Sequence, residues 1–285
     1  MTGIGKQRLV VLLGVVCLAW LQSGCRRAEP EIIGRVVLQG TPLPEININL
    51  DPTSARLRPN GLTTRHYLVS SNGGLANAFV YIKAGLSNWT AGLPATPAIM
   101  EYRGMQFEPY VIGVRVNQPV RLRNADPVLH NAHCTPRTPG SREWNIGMPP
   151  QGAPPKLRWD KALYRRLLAM VGVKSAPSGG NVFSFALPEP FVRLKCDVHP
   201  WEFGYVCVID HPFFAVTGTN GQFRFPPGLP PGKYVIEARH LKAGSETQEV
   251  VIGPRERKQL KFTLHVPTNG PQPAAGLQTK DLPKP

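Results

Sequence analysis

The sequence is poor in acidic residues and in uninterrupted segments that could form long helices. It holds 18 Asp and Glu against 33 Lys and Arg, which gives a formal net charge of +15. Such a balance favours anionic partners, namely an acidic protein, an anionic membrane surface or nucleic acid. Proline and glycine number 31 and 28 among 285 residues, and proline clashes inside a helix and removes a backbone donor. A helical bundle or a coiled coil is therefore excluded, and the length suggests two small, mostly β domains.

Several enzyme motifs are missing as well. The sequence contains no recognisable catalytic triad, no glycine-rich phosphate loop and no carboxylate pair suited to acid–base work. A hydrolase is therefore disfavoured. The hydrophobic fraction of 42% is nonetheless sufficient to build a core, so disorder is not forced.

The N-terminus carries a short apolar run rather than a membrane span. Leu9–Leu21 follows Lys6 and Arg8 and has 13 residues, whereas a bilayer span takes ~20. Residues 1–24 therefore read as a signal peptide, and the small residues before Cys25 resemble a bacterial lipoprotein signal. That resemblance implies lipidation of Cys25 and a periplasmic-side lipid anchor in the bacterial cell envelope. Plain cleavage and an uncleaved anchor are the alternatives, and export makes nucleic acid the weakest of the anionic partners.

Few cysteines remain once the signal is removed. Cys17 leaves with the signal and Cys25 would carry lipid, which leaves Cys134, Cys196 and Cys207. An odd number in an oxidising compartment means that at least one thiol has a role other than an internal disulfide. Cys134 and Cys207 are predicted to form a disulfide or to stay as buried thiols.

Short strand-like segments between Gly and Pro turns predict an all-β fold. Polar and apolar residues alternate in 32–38, 79–84, 110–116, 119–124, 182–187, 191–196 and 204–210. Five further candidates follow residue 211, and Asn220-Gly221 among them is a hairpin-turn signal. The predicted organisation is a tether at 25–31, a β-sandwich at 32–210, a smaller β-sandwich at 211–266 and a disordered tail at 267–285.

One segment departs from the strand pattern. Within an insertion at 154–180, apolar side chains of residues 156–174 recur at helical spacing, with basic side chains nearly opposite. The sequence predicts one helix of about four turns. It either packs across an open end of the sandwich or offers a basic docking surface to a partner or to lipid headgroups.

Two segments carry residues suited to binding a metal. Cys196 and His199 lie three residues apart between two predicted strands, so a tight loop can turn both toward one ion. His130 and His133 lie three apart in an earlier segment and point to opposite faces of an extended chain, so only one should reach that ion. A thiolate with two imidazoles selects copper or zinc over hard cations.

Together, NADPVLHNAH (124–133) and VRLKCDVHPWEFGYV (192–206) resemble the cupredoxins, the plastocyanin-like and amicyanin-like blue copper proteins. The resemblance implies a Greek-key β-sandwich holding one copper ion, with His130, Cys196 and His199 as ligands. Asn131 matches the residue that ties the two ligand loops together. Glu202 stands where the family carries an axial Met, and it either approaches the metal or points to solvent.

The resemblance implies a one-electron carrier rather than an enzyme. Asp197 and Trp201 flank the ligands, and His199 on an exposed loop beside Trp201 is the expected electron exit. The basic charge would steer an acidic redox partner such as a cytochrome. Two alternatives remain: a red-copper-like or small-molecule-binding site with Glu202 near the metal, and a metal-free envelope interaction protein on the same scaffold.

The segment from residue 211 to 266 resembles the regulatory-type β-sandwich domains found beside carboxypeptidases. The resemblance rests on a turn–Gly–x–Phe pattern, then PPGKY (230–234), then an alternating strand. It implies a structural or adhesive module. His240 and His265 in this segment are interpreted as structural.

Overall fold

A computed structural model describes residues 29–86, 92–152 and 181–267. Within these ranges the chain forms sixteen strands and one short helix, which confirms the all-β prediction. In chain order the elements are β1 (Glu31–Gln39), α1 (Pro52–Leu57), β2 (Phe79–Ala84), β3 (Ala98–Tyr102), β4 (Phe107–Glu108), β5 (Val111–Arg115), β6 (Val120–Asn124), β7 (His130–Thr135), β8 (Trp144–Met148), β9 (Val182–Phe183), β10 (Glu189–Lys195), β11 (Phe203–Ile209), β12 (Phe214–Val216), β13 (Gln222–Arg224), β14 (Gly232–His240), β15 (Gly244–Ile252) and β16 (Arg257–His265).

The first sandwich packs a five-stranded sheet, β5-β11-β10-β7-β8, against a four-stranded sheet, β4-β3-β6-β9. Alternation along the strands sets its inward face, as in β6, where Val120 and Leu122 are buried and Arg121 and Arg123 are exposed. Side chains from both sheets form one buried cluster. This sandwich carries both predicted metal-binding segments.

The second sandwich packs a three-stranded sheet, β13-β1-β16, against a four-stranded sheet, β12-β2-β14-β15. Its buried cluster includes Val36, Ile82, Ile236 and Phe262, each 2% exposed or less. The strand segments predicted after residue 211 are all present here.

The sheets do not divide at residue 211, where the sequence analysis placed a boundary. β1 pairs in parallel with β16 over its whole length, from Glu31↔Arg257 to Gln39↔His265. β2 likewise pairs with β12 and β14. The sequence analysis assigned both early strands to the 32–210 unit because they lie in that part of the sequence. Strand partners, however, are fixed by long-range register.

Two local strand predictions also differ from the structure. The turn at Asn220-Gly221 is present, with Gly221 at φ +76°, but it joins β12 and β13, which lie in different sheets rather than in a hairpin. The strand predicted over 182–187 is limited to Val182–Phe183. Alternation signals a half-buried strand, and it does not identify the partner.

A long connection between β1 and β2 reaches the first sandwich. Residues 45–66, here called the strap, fold back on themselves, because Ile48 N–H donates to Leu62 O at 2.8 Å and Thr64 N–H donates to Ile46 O at 2.9 Å. Helix α1 forms the tip of the strap. Asp51 caps that helix by accepting bonds from the backbone N–H groups of Thr53 and Ser54.

Other predicted segments lie outside the described residues. These are the signal peptide 1–24, the lipidation site Cys25 with most of the tether, the inserted helix 156–174 and the tail beyond residue 267. In the part of the chain that the structure describes, helices are too short or too polar to cross a membrane.

Candidate metal centre

Four side chains converge at one end of the first sandwich. The donor atoms of His130, Cys196, His199 and Glu202 all lie within 4.8 Å of one another, and all four residues are buried. Cys196 Sγ lies 3.9 Å from His130 Nδ1 and 3.7 Å from His199 Nδ1. The two Nδ1 atoms are 3.1 Å apart. The four residues that the sequence proposed as ligands are therefore brought together.

Two strand ends and one closed loop position these donors. His130 opens β7, and Cys196 directly follows β10. The loop from Cys196 to Glu202 is closed on itself, because Glu202 N–H donates to His199 O at 3.0 Å and Cys196 N–H donates to Glu202 O at 3.1 Å. Three donors thus come from a loop whose shape is fixed by its own backbone.

Glu202 points into the cluster and not to solvent. Its carboxylate Oε2 lies 2.9 Å from His130 Nδ1 and 3.7 Å from His199 Nδ1. Its side chain has no exposed area. This position follows from strand alternation, because Glu202 continues the inward row of Gly204, Val206 and Val208 on β11.

The charges of the cluster depend on one another. Burial alone would lower the pKa of His130, but its contacts with Asp126, Cys196 and Glu202 outweigh burial and raise that pKa to about 11. Burial also lowers the pKa of His199, but its contacts with Cys196 and Glu202 outweigh burial and raise that pKa to about 9. Burial opposes ionisation of Glu202, yet the two histidines lower the pKa of its carboxyl. The pocket therefore favours positive charge between the donors.

The donor set fits a copper ion. A thiolate and two imidazoles are the soft and borderline donors that copper and zinc prefer, and the carboxylate adds a harder donor. Glu202 Oε1 is buried without a hydrogen-bond partner, and such atoms are rare in native proteins unless something else satisfies them. A cation held by these four side chains accounts for that atom and for the close approach of the two Nδ1 atoms.

Asn131 links the two ligand-bearing segments, as its position in the sequence implied. Its Oδ1 accepts bonds from the N–H of Asp197 at 2.7 Å and of Val198 at 3.2 Å, and lies 3.5 Å from Cys196 Sγ. Its Nδ2 donates to Asn145 Oδ1 at 2.8 Å. The amide thus holds the Cys196 loop against β7 and β8, which fixes the ligand positions.

Asp197 points away from the cluster into a polar network. Its carboxylate contacts His133 Nδ1 at 2.9 Å and Lys195 Nζ at 2.8 Å and accepts from Asn145 Nδ2 at 2.9 Å. His133 in turn contacts exposed Glu143 through Nε2. His133 is therefore engaged outside the cluster, in agreement with the expectation that only one of the two histidines reaches a site shared with Cys196.

His199 is less accessible than the sequence suggested. Its side chain is only 11% exposed, although a position on an exposed loop was expected. The ring of Trp201 lies 5.4 Å from the His199 ring, tilted by 48°. His199 itself is therefore nearly buried, whereas Pro200 beside it in the same loop is exposed.

Sequence reasoning missed two residues that hold His130. The ring of Tyr102 stacks on the imidazole at 4.2 Å with an interplanar angle of 4°, and its hydroxyl donates to Asn131 O at 2.6 Å. Buried Asp126 places Oδ2 3.4 Å from His130 Nε2. Asp126 stands four residues before His130, a spacing that could have indicated it, whereas Tyr102 lies on β3 and gave no local signal.

Cys134 and Cys207 are both free and buried. Cys134 is aligned with Leu194, and Leu194 with Gly204, so these three share one face of the sheet. Cys207 is three residues beyond Gly204 on β11 and faces the opposite side, where it packs between the two sandwiches. The predicted disulfide is therefore absent, and the alternative of two buried thiols holds.

Two solved structures resemble the described fold at a distance. An oxidised point mutant of amicyanin is 14% identical, with 45% of this chain and 97% of that chain covered and a TM-score of 0.26. A copper-containing nitrite reductase from Thermus scotoductus SA-01 is 16% identical, with 44% of this chain and 25% of that chain covered and a TM-score of 0.26. No family model and no curated protein sequence matches this chain. Likenesses this distant do not establish a family, and the candidate metal centre rests on its own geometry.

Proposed function

We propose that this chain binds one copper ion through His130, Cys196, His199 and Glu202 and acts as a one-electron carrier. The observation that carries the proposal is the convergence of two Nδ1 atoms, one Sγ and one carboxylate oxygen within 4.8 Å in a buried pocket. The resemblance of the two ligand segments to cupredoxins supports copper over zinc. Copper in such a site supplies one-electron redox chemistry between its two common oxidation states.

The protein contributes a preformed pocket. Asn131 and the backbone bonds across the Cys196 loop hold the ligand side chains in place. Tyr102 stacks on one face of the His130 ring and Asp126 lies at its Nε2 edge. Ligands fixed in this way need little rearrangement when the charge of the site changes, which is the requirement for electron exchange without bond making.

Glu202 affects the reduction potential expected of the site. A buried carboxylate is harder and more negative than a thioether, so it favours the higher oxidation state of copper and lowers the reduction potential. The same observation supports the second candidate, a red-copper-like or small-molecule-binding site. A metal-free interaction protein remains the third, and the orphaned Oε1 of Glu202 argues against it.

Location and partner belong to the same proposal. The signal-like N-terminus supports an exported protein, anchored through lipid on Cys25 at the periplasmic side of the bacterial envelope. The net charge of +15 supports an acidic redox partner such as a cytochrome.

Metal content and visible spectrum of the purified protein test the proposal. We expect one copper per chain, a thiolate-to-copper absorption band and reversible one-electron reduction. Cys196→Ala should abolish the band and the copper, whereas Cys134→Ala, a matched loss of a buried thiol outside the cluster, should keep both. Stoichiometric zinc without copper would contradict the carrier role, and failure to bind either metal would favour the metal-free candidate.

A further inference from the structure

The strap originates in the second sandwich and lies against the first. It connects β1 to β2, both of the second sandwich. Its base is closed by Glu45, whose carboxylate accepts from the backbone N–H of His66 at 2.9 Å and of Tyr67 at 2.6 Å and from the hydroxyl of Thr64. The strap is therefore a hairpin-like arm with a fixed base and a helical tip.

Arg65 fastens the arm to the first sandwich. Its Nη1 lies 2.6 Å from Glu108 Oε1, and its Nη2 donates to Phe107 O at 3.0 Å. The guanidinium also lies 4.4 Å from the centre of the Tyr110 ring. Hydrogen bonds to charged groups contribute more than neutral ones, and here several converge on one side chain that is 14% exposed.

The tip of the strap reaches the vicinity of the metal centre. Arg58 lies over Gly104, where a Cβ atom would come within 2.8 Å of Arg58 Nη1. At the start of α1, Ser54 is buried. The Ser54 hydroxyl donates to the Asp51 carboxylate that caps the helix, so the tip is a closed, capped turn.

Both strap contacts lead directly to groups that hold the ligands. Gly104 N–H donates to Asp126 Oδ1 at 2.6 Å, and Asp126 contacts His130. The ring of Phe107, whose carbonyl binds Arg65, lies 4.1 Å from the Tyr102 ring that stacks on His130. The strap therefore packs on residues that hold Asp126 and Tyr102 against His130.

We propose that the strap determines access to the metal centre and that Arg65 holds it closed. In the closed arrangement it keeps small-molecule ligands and chelators away from Cys196 and His199, so the site exchanges electrons but does not take up substrates. The inference rests on the proposed function only in taking the protected site to be a copper site. The access of a reagent to Cys196 can be measured in the metal-free protein.

Alkylation of the metal-free full chain by iodoacetamide, followed per cysteine by peptide mass spectrometry, tests this role. Cys196 is the reporter, and fully buried Cys134 and Cys207 are internal controls for unfolding. In Arg65→Met, which keeps the length of the stem, the rate at Cys196 should rise about tenfold, as expected when a charge-assisted closing contact is lost. Glu108→Gln should give a smaller rise. Arg56→Met, an equal charge loss at an exposed position of α1, should leave the rate unchanged.

The outcomes separate the strap from the metal. A rise at Cys196 alone supports the inference even if copper never binds. Equal rates in Arg65→Met and wild type, with the fold intact, would overturn it. If Arg65→Met raises the alkylation rates of all three cysteines together, the substitution has unfolded the chain. The Glu108→Gln variant then provides the test: if its alkylation rate at Cys196 does not rise selectively, the inference is also overturned.

Discussion

Each sandwich contains a buried histidine stacked on a tyrosine, and the two behave in opposite ways. In the first, His130 lies under Tyr102 among a thiol and two carboxylates, and its pKa is raised to about 11. In the second, His240 lies 5.8 Å from the Tyr67 ring, and burial with the charge of Lys242 lowers its pKa to about 4. Burial favours the neutral imidazole in both places, so the neighbouring groups determine whether the pKa is raised or lowered.

The hydrogen bonds of the two rings explain the difference. His240 Nδ1 accepts from the backbone N–H groups of Lys242 and Ala243, both at 3.2 Å. A nitrogen that accepts two such bonds is satisfied and has a structural role at the β14–β15 turn. His130 instead faces acceptors through both nitrogens, which is the environment that a cation or a proton completes.

The largest contrast is expected from removing each ring. His130→Ala should abolish metal uptake while leaving the second sandwich intact. His240→Ala should leave metal uptake unchanged and lower the free energy of unfolding, since two backbone N–H groups lose their acceptor. Metal content and thermal unfolding of the two variants check this, and loss of metal in His240→Ala with an intact fold would contradict the contrast.

The next effect concerns pH and stability. The pKa of His240 is lower in the folded chain, about 4, than the unfolded value of ~6.5. The unfolded chain thus binds more protons between these values, so the stability from His240 is complete above pH 6.5 and is lost as pH falls toward 4. The shift corresponds to at most roughly 3 kcal/mol.

Denaturant unfolding of the metal-free protein between pH 7 and 4 measures that loss. His240→Asn keeps an acceptor for the two N–H groups but does not titrate, so its stability should fall less over the same range. His265→Asn, in an exposed position on β16, is the matched control and should follow the wild type. Parallel curves for wild type and His240→Asn would refute the assignment.

The site was more predictable from the sequence than the arrangement around it. Cys196, His199 and Glu202 lie in one loop, so spacing alone brings them close, but the sequence left open whether Glu202 faces the cluster or solvent, which the structure decides by placing it on the inward face of β11. The pairing of β1 with β16, the burial of His199 under neighbouring residues and the stacking of Tyr102 are long-range contacts. No local pattern encodes them, because a strand's period fixes its faces but not its partners.

A smaller effect is expected from Asp126. Asp126→Asn removes the charge beside His130 Nε2 but keeps an acceptor, and loss of such an outer contact typically costs 10–100-fold in metal affinity. We expect about tenfold weaker copper binding in a competition titration. Asp210→Asn, an exposed position at the end of β11, is the matched control. Unchanged affinity in Asp126→Asn would mean that Tyr102 alone fixes the ring.

The finest distinction lies in Glu202 itself. Glu202→Met replaces the buried carboxylate with the weak thioether that the cupredoxin resemblance implies at this position. The negative charge then no longer favours the higher oxidation state, so the reduction potential should rise. A tenfold change in the relative affinity for the two states is about 59 mV for one electron, and we expect a rise of at least that order. The copper–thiolate bond should also shorten, which intensifies the blue absorption band.

Glu202→Gln separates the effect of charge from that of size, because it is nearly isosteric and neutral. If charge dominates, the reduction potential of this variant should rise as well, while its spectrum stays closer to that of the wild type. Because Glu202 lies 2.9 Å from His130 Nδ1, either variant also frees that nitrogen from its carboxylate partner, so metal content is measured alongside. Copper-loaded variants whose potential and spectrum equal those of the wild type would show that the carboxylate holds the histidines and not the metal.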